Sequence, residues 1–220
     1  SEKRYRDLVE HAGDIIFRTD AAGRFTYCNP TSLRILGYLP EELLGRHYLE
    51  IVQPQSRAQA ERFYGRQFIR KTSRTVYELP VATKDGREVW LGQHTQLLMD
   101  GNAVNGFQVV AREITERKQV EQALRESEER FSKAFHSSPA GMAISRLEDG
   151  RVLDVNEAFV RVSGFSRDEL VGMSSLDIGM WVNPDDRRQL AETLRRDGFL
   201  RQLEKEFRTK SGELRHGLFN

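Results

Sequence analysis

Apolar and polar residues alternate in short runs along the first part of the chain, a pattern typical of β-strands. The runs DIIFRTD and GRFTYCN lie on either side of the turn residues AAG, which predicts a β-hairpin. Three longer alternating runs begin at Thr75, Arg87 and Val104, and the turn segments KDG and MDGN separate them. The pattern therefore predicts five antiparallel strands in one sheet.

Helix signals fill the stretch between the hairpin and the three longer runs. Asn29 and the proline after it combine a capping side chain with a proline at the first helical position, and Gly37 suits a left-handed stop. Pro40 begins a second short helix, and Pro54 begins a longer one with apolar residues on one face. This order of elements predicts an α+β domain in which helices cover one face of the sheet.

The second half of the chain repeats this arrangement. Residues from Cys28 to Gly45 align without a gap with residues from Val155 to Gly172, at an offset of 127. The segment TKDG of the first half matches TKSG of the second at an offset of 126, and the opening SEKRY returns as SEERF at Ser127. We therefore predict two copies of one unit in series.

The second copy is expected to be incomplete at its C-terminal end. The strand that begins at Val104 in the first copy has no counterpart before Asn220, so the second copy should lack its last strand. Its neighbours would then have unpaired backbone groups, unless another strand supplies the pairing. We place the first domain at residues 1–113, including an N-terminal capping helix, and the second at residues 136–220.

Residues 114–135 connect the two domains. They are mostly strong helix formers without glycine or proline, and they predict one continuous helix. Val120, Leu124 and Phe131 fall on one side of it at heptad spacing, which predicts the seam of a homodimer. The alternative is a solvated spacer helix, because two or three heptads are short for a coiled coil.

Charge and composition exclude several partners. The 34 basic and 33 acidic residues leave a net charge of +1, so we expect no nucleic acid partner. No apolar run is long enough to span a bilayer, so we expect no direct membrane contact in this fragment. Cys28 is the only cysteine, which excludes an internal disulfide and agrees with a cytoplasmic location. The five histidines are scattered, so no metal site is expected.

Several segments together resemble the PAS family of sensory domains. They are GYLPEELLG and GFSRDELVG, the hairpins TKDGREVW and TKSGELRH, and EITERK at residues 113–118. EITERK is similar to the Asp-Ile-Thr ending of many PAS domains, with Glu113 where aspartate is usual. The resemblance covers essentially the whole chain and implies two PAS folds in tandem, each a five-stranded antiparallel sheet with helices on one face, joined by a long helix.

The resemblance also implies where a ligand would bind. In ligand-binding PAS relatives, alternate strand residues face a pocket beneath the helices. Applied to the first copy, this gives a candidate pocket formed by Phe17, Thr19, Tyr27, Leu79, Val81, Leu91, Gln93, Thr95, Phe107, Val109 and Ala111. Trp90, His94 and Gln96 would lie on the outer face, where PAS domains meet a partner domain or helix.

Known PAS cofactors make chemical demands that this sequence can be checked against. A flavin–cysteine adduct needs a cysteine where Tyr48 stands, and the helix at residues 54–72 contains no histidine to bind a heme. We therefore expect neither heme nor a flavin adduct, and we expect side chains rather than a cofactor to fill the pocket. Alternatively, Gln93 and Thr95 would orient a small organic ligand or a non-covalently bound flavin.

The chain contains no motif of a nucleophile with its base and no phosphate-binding loop, so we expect no enzymatic activity from it. We expect the sensory region of a multidomain signalling protein, most naturally a sensor histidine kinase with its output domain attached downstream. The signal junction is expected at Glu113, Thr115 and Arg117, with Glu113 paired to a basic residue and Thr115 bonded locally.

Three alternatives stay open at this point. The chain would be a ligand-free module for dimerisation or protein interaction, the sensory region of a cyclic-dinucleotide synthase or phosphodiesterase, or a redox sensor acting through Cys28. Each assigns a different output to the same fold.

Overall fold

The computed structural model describes residues 13–219 and divides into two compact units, residues 1–123 and 124–220. The N-terminal capping helix expected from the sequence lies outside the described residues. The division falls within the helix that connects the predicted domains.

The first unit follows the element order that the sequence predicts. Its elements are β1 (Ile15–Asp20), β2 (Phe25–Cys28), α1 (Pro30–Leu36), α2 (Pro40–Leu43), a 3-10 turn (Tyr48–Glu50), α3 (Pro54–Arg70), β3 (Arg74–Ala82), β4 (Glu88–Asp100) and β5 (Ala103–Glu113).

All five strands form one antiparallel sheet in the order β2-β1-β5-β4-β3, so the last strand in sequence is the central strand in space. β5 approaches β1 so closely that a Cβ added at Gly106 would lie 2.1 Å from the carbonyl oxygen of Thr19. Only glycine fits at this point of the ladder. The expected α+β sheet is confirmed for the first unit.

One face of this sheet carries the core of the first unit. Ile15 and Leu79 from the strands are buried in one apolar cluster with Leu36 of α1 and Leu43 of α2. Burial of such side chains is the main favourable term in folding. The helices that supply this cluster also position the walls of the cavity described below.

A buried asparagine fixes the start of α1. The Asn29 side-chain oxygen accepts hydrogen bonds from the backbone N–H of Ser32 (3.0 Å) and of Ile16 (3.0 Å), and its amide donates to the Asp14 carbonyl (3.0 Å). One side chain therefore caps the helix and ties it to the region of β1. Gly37 ends α1 in the left-handed conformation, as the sequence predicts.

A long helix, α4 (Thr115–Ser137), follows β5 and continues into the second unit. The remaining elements are β6 (Ala143–Ser145), β7 (Val152–Val155), α5 (Glu157–Ser163), α6 (Arg167–Leu170), α7 (Pro184–Asp197), β8 (Leu203–Arg208) and β9 (Leu214–Phe219). Among the strands of residues 13–219, β6 pairs only with β7 and β8 only with β9, and β8 makes one further bridge between Phe207 and Trp181. The connecting helix and the missing strand are both confirmed.

The second unit repeats the local contacts of the first. The Asn156 side chain accepts from the backbone N–H of Phe159 (2.8 Å) and donates to the Phe135 and Ala140 carbonyls (2.9 Å each). Its sheet is different, because no described strand lies between the two ribbons. Neither β8 nor β9 contains a fully buried residue.

In the described part of the chain, no helix has both the length and the apolar character that crossing a bilayer requires.

Candidate functional site

The interior of the first unit contains a small cavity of about 40 Å³ between the sheet and the helices. Nine of the eleven residues predicted for the pocket line it: Phe17, Thr19, Leu79, Val81, Leu91, Gln93, Thr95, Phe107 and Val109. The other walls come from Phe25, Leu36, Tyr48, Ile51, Val52 and Tyr64. Strand alternation could not find most of these, because they belong to helices and loops whose packing is set by tertiary structure.

Two predicted pocket residues do not line the cavity. Tyr27 lies opposite Arg18, an exposed residue on the outer face, because a bulge shifts the register so that Phe25 stands opposite Thr19. Cross-strand partners share a face of the sheet, so the prediction for Tyr27 was wrong. Ala111 faces inward and is buried, but it packs in the apolar core away from the cavity.

The polar groups of the cavity are unevenly satisfied. The Tyr64 hydroxyl donates to the Gln93 side-chain oxygen at 2.7 Å. The Thr19 and Thr95 hydroxyls are buried and have no hydrogen-bond partner among the described residues. Gln93 and Thr95 therefore do not satisfy each other. A buried hydroxyl without a partner is costly, so these two groups need an explanation.

The cavity wall carries no charge at neutral pH. Burial raises the pKa of Tyr48 to about 12. Burial also raises the pKa of Tyr64, and the neighbouring Thr95 hydroxyl opposes that rise without reaching hydrogen-bond geometry. Both phenols stay neutral, and the other lining residues are apolar or uncharged. Such a wall favours a neutral occupant over an ion.

The size of the cavity limits what it holds in this conformation. Sites for drug-sized ligands have volumes of roughly 300 Å³ or more, whereas a space of about 40 Å³ accommodates only water-sized molecules. A ligand as large as a flavin would require the surrounding side chains to move apart.

The predicted junction residues lie at the start of α4. Glu113 accepts a hydrogen bond from the Thr115 hydroxyl (3.0 Å), and the same hydroxyl accepts from the backbone N–H of Trp90 (3.0 Å). Thr115 thus bonds locally. The ion pair expected for Glu113 is absent within residues 13–219, because Arg117 turns instead to Glu78 on β3 and to Glu121.

Part of this junction was not predicted from the sequence. Glu78, Trp90, Arg117 and Lys118 form what we call the Glu78 cluster, on the outer face of the sheet. The Glu78 carboxylate forms ion pairs with the Arg117 guanidinium (2.6 Å) and the Lys118 ammonium (2.8 Å). The Lys118 ammonium also lies 5.1 Å from the centre of the Trp90 ring. Hydrogen bonds from Lys118 and Arg117 lower the pKa of Glu78. Only the outward position of Glu78 in an alternating strand could have drawn attention to it.

Trp90 is half-buried beneath Lys118, while His94 and Gln96 on the same outer face of β4 are exposed. At Trp90, the outer face of the sheet is thus covered by α4 of the same chain, whose residues Arg117 and Lys118 belong to the Glu78 cluster.

Comparison with known proteins identifies the family. The model of the PAS fold matches residues 3–114 and again residues 129–218. The chain belongs to the PAS family. The cavity is thus the interior of the first PAS domain, and α4 is the helix that leaves its last strand.

The curated relatives are sensor kinases. Sporulation kinase C of Bacillus subtilis is 28% identical over 166 residues, which are 75% of this chain and 37% of the relative. Sensor protein kinase WalK of Staphylococcus aureus is 26% identical over 153 residues, which are 68% of this chain and 35% of the relative. The chain spans little more than a third of their length, and it is homologous to sensory regions of sensor histidine kinases.

Among solved structures, a sensory box histidine kinase/response regulator from Burkholderia thailandensis matches with a TM-score of 0.50 and 23% identity. The match covers 59% of this chain and 98% of that chain. At this level of identity the likeness shows the fold alone.

Residues relevant to the known PAS cofactors can now be placed. Tyr48 lines the cavity, and its neighbour His47 uses Nδ1 to accept a hydrogen bond from the backbone N–H of Leu49 (3.2 Å) at the 3-10 turn. Within residues 13–219 no three His, Cys, Asp or Glu side chains are grouped as metal ligands would be. Cys28 is half-buried, and burial raises its pKa to about 12, which opposes a role as a reactive thiol.

The predicted helix seam is exposed. Val120, Leu124 and Phe131 on α4 each expose between 59% and 63% of their surface. Phe131 stacks on Phe135, whose ring is buried in the second unit. An exposed apolar stripe of this kind is available to a partner.

Proposed function

We propose that this chain is the non-catalytic sensory and relay region of a signalling protein. A small neutral ligand binds in the cavity of the first PAS domain, and α4 passes the change onward. The observation that carries this proposal is the pair of buried hydroxyls, Thr19 and Thr95, that face an apolar cavity without a partner. A ligand that hydrogen-bonds to both would remove the cost of leaving them unsatisfied.

The proposed occupant is a small organic ligand that widens the cavity on binding, with a non-covalently bound flavin as its largest form. Neither heme nor a flavin–cysteine adduct belongs to the proposal, because Tyr48 occupies the position of the adduct cysteine and α3 carries no histidine. An empty cavity is the competing state.

The parent protein is proposed to be a cytoplasmic sensor histidine kinase with an output domain downstream. Homology to two sensor kinases over most of this chain supports that choice over a cyclic-dinucleotide synthase or phosphodiesterase. The single cysteine supports the cytoplasm.

The test is to identify what the purified chain carries. Visible absorbance detects a flavin, and mass spectrometry of the denatured protein detects a colourless ligand. We expect a ligand in the wild type and its loss in the double variant Thr19→Val, Thr95→Val, which keeps the shape of both side chains but removes both hydroxyls. Thr26→Val, at an exposed position of β2, is the matched control and should keep the ligand.

The opposite result would be equally clear. If the wild type carries no ligand and the double variant unfolds at a higher temperature, the two buried hydroxyls only lower the stability of the folded state. That outcome would contradict ligand sensing and support the ligand-free assembly module.

A homodimer through the helix seam is a second proposal, supported by the exposure of Val120, Leu124 and Phe131. Analytical ultracentrifugation over a range of concentrations should show a dimer that Leu124→Glu dissociates. Gln119→Glu, exposed on another side of α4, should leave the dimer intact. A monomer at every concentration would rule the dimer out.

A further inference from the structure

Strands β3 and β4 reach both the cavity and the helix. Leu79 and Leu91 stand opposite each other in the ladder and line the cavity. Their neighbours in sequence, Glu78 and Trp90, point to the outer face, because successive side chains of a strand alternate between faces. Both of these neighbours belong to the Glu78 cluster. Along each strand, the residue that lines the cavity and the residue that contacts α4 are therefore direct neighbours in sequence.

The start of α4 is held at two points. The backbone of β4 holds the first, since the Ile114 N–H donates to the Trp90 carbonyl at 2.8 Å and the Trp90 N–H donates to the Thr115 hydroxyl. Glu78 on β3 holds the second, with one carboxylate oxygen on Arg117 and the other on Lys118. Only the second point depends on side-chain charge.

The Glu78 carboxylate is well placed to sense movement of β3. Its contacts of 2.6 and 2.8 Å are charge-assisted, and such bonds weaken steeply as their geometry departs from the optimum. A ligand that pushes on Leu79 displaces the backbone of β3, and Glu78 moves with it. The two cations sit in the first turn of α4, so the helix start would loosen or shift.

We propose that Glu78 is the positioning residue that couples the cavity of the first PAS domain to α4, by holding Arg117 and Lys118 together. This inference rests on the proposed sensory function. It assigns the coupling to an acidic residue on β3 rather than to Glu113, whose side chain bonds only to Thr115 among the described residues.

The first experiment measures amide hydrogen exchange of residues 115–122 in the full chain. Glu78→Gln should speed exchange there by about fivefold, the scale of losing two partly exposed ion pairs. Glu204→Gln is the matched control, because Glu204 occupies the equivalent outward position on β8 and makes no ion pair within residues 13–219. It should leave residues 115–122 unchanged.

Charge reversal separates the role of the ion pairs from simple damage to the strand. The quadruple variant Glu78→Lys, Arg117→Glu, Lys118→Glu, Glu121→Lys also reverses Glu121, which pairs with Arg117 at 2.9 Å, and it should return exchange to within about twofold of the wild type. Unchanged exchange in Glu78→Gln, or failure of the quadruple variant to restore it, would overturn the proposal.

The second experiment tests coupling itself. Leu79→Val removes one methylene from the part of the cavity wall that β3 supplies, and it should change exchange of residues 115–122 by about twofold or more in a chain that keeps Glu78. The same change made with Glu78→Gln should have no further effect on those residues. Leu79→Met alters the wall while nearly conserving its volume, and it serves as a second perturbation if Leu79→Val folds poorly.

The outcomes distinguish this proposal from the sensory function beneath it. If the effect of Leu79→Val persists without Glu78, or is absent in the chain that keeps Glu78, coupling through Glu78 is wrong whatever the cavity binds. If the effect disappears with Glu78→Gln and no ligand is found in the purified chain, the coupling holds and ligand sensing fails.

Discussion

The first unit forms a continuous five-stranded sheet around β5, whereas the second unit has two separate ribbons, β6–β7 and β8–β9. Their buried cores differ accordingly. Among residues 13–219, the main apolar cluster of the first unit contains 14 buried residues, and that of the second contains 4. The helices α1 and α5, by contrast, begin and end in the same way, with Asn29 and Asn156 as buried N-caps and a left-handed glycine at the C-terminal end of each.

This difference separates two kinds of stabilisation. Helix caps and short turns need only neighbours in sequence, so both units have them. A sheet core needs its central strand, because that strand pairs with both neighbours and completes the surface against which the helices pack. The equivalent ion pairs Glu42–Lys84 and Glu169–Lys210 also form in both units, so they do not depend on the central strand.

The largest expected effect is in backbone protection. Amides of β4 should exchange at least about 100-fold more slowly than amides of β8, because β4 has a strand on both sides, whereas the described partners of β8 are one strand, β9, and a single bridge to Trp181. Hydrogen exchange followed by NMR or mass spectrometry measures both strands in one sample. Similar protection of the two would break the comparison and indicate that β8 and β9 acquire another partner in solution.

Leucine-to-alanine changes at equivalent positions should come next. Leu43 and Leu170 are both fully buried, in α2 and α6, but they lie in cores of different size. We expect Leu43→Ala to lower the free energy of unfolding of the first unit by about 4 kcal/mol and Leu170→Ala that of the second by about 2 kcal/mol.

Denaturant unfolding can follow the two units separately, since Trp90 lies in the first and Trp181 in the second. Equal losses would contradict the thinner core of the second unit.

The smallest effect is a dependence on pH. A hydrogen bond from Lys210 is the main cause that lowers the pKa of Glu169 from 4.5 to about 2. Because its folded pKa lies below the unfolded one, Glu169 stabilises the second unit above about pH 4.5, and this contribution is lost as pH falls toward 2. Thermal unfolding should therefore show a steeper fall from about pH 5 to pH 3 in the wild type than in Glu169→Gln.

Glu42 provides the matched case in the first unit, with a pKa lowered first by its hydrogen bond from the Leu39 backbone and then by Lys84. Glu42→Gln should flatten the profile of the first unit in the same direction. A steeper profile in either variant would be contrary to the cause assigned to these shifts.

Most of the fold could be predicted because its signals are local. The asparagine caps, the glycine stops and the alternating strands are each set by residues close in sequence, and the repeat made each signal visible twice. Even the missing strand followed from the offset between the copies. The full pairing order of the first sheet, β2-β1-β5-β4-β3, depends on tertiary contacts, and the order of elements along the chain does not give it.

The site was predicted less completely. Alternation placed nine lining residues correctly, but it failed at Tyr27, because one bulge reverses the face of every residue beyond it. The partner of Arg117 was also missed. Glu78 is 39 residues away in sequence, and nothing local indicates which acidic residue a helix start will meet across a sheet.

The buried thiol of Cys28 has a practical consequence for measuring movement of α4. Burial raises its pKa to about 12, so very little of this thiol would be a thiolate at pH 8. Maleimide dyes and spin labels react with thiolates, so the natural cysteine would stay almost unlabelled. A cysteine introduced at the exposed Gln119 would take the label selectively, and the native residue would not have to be removed first.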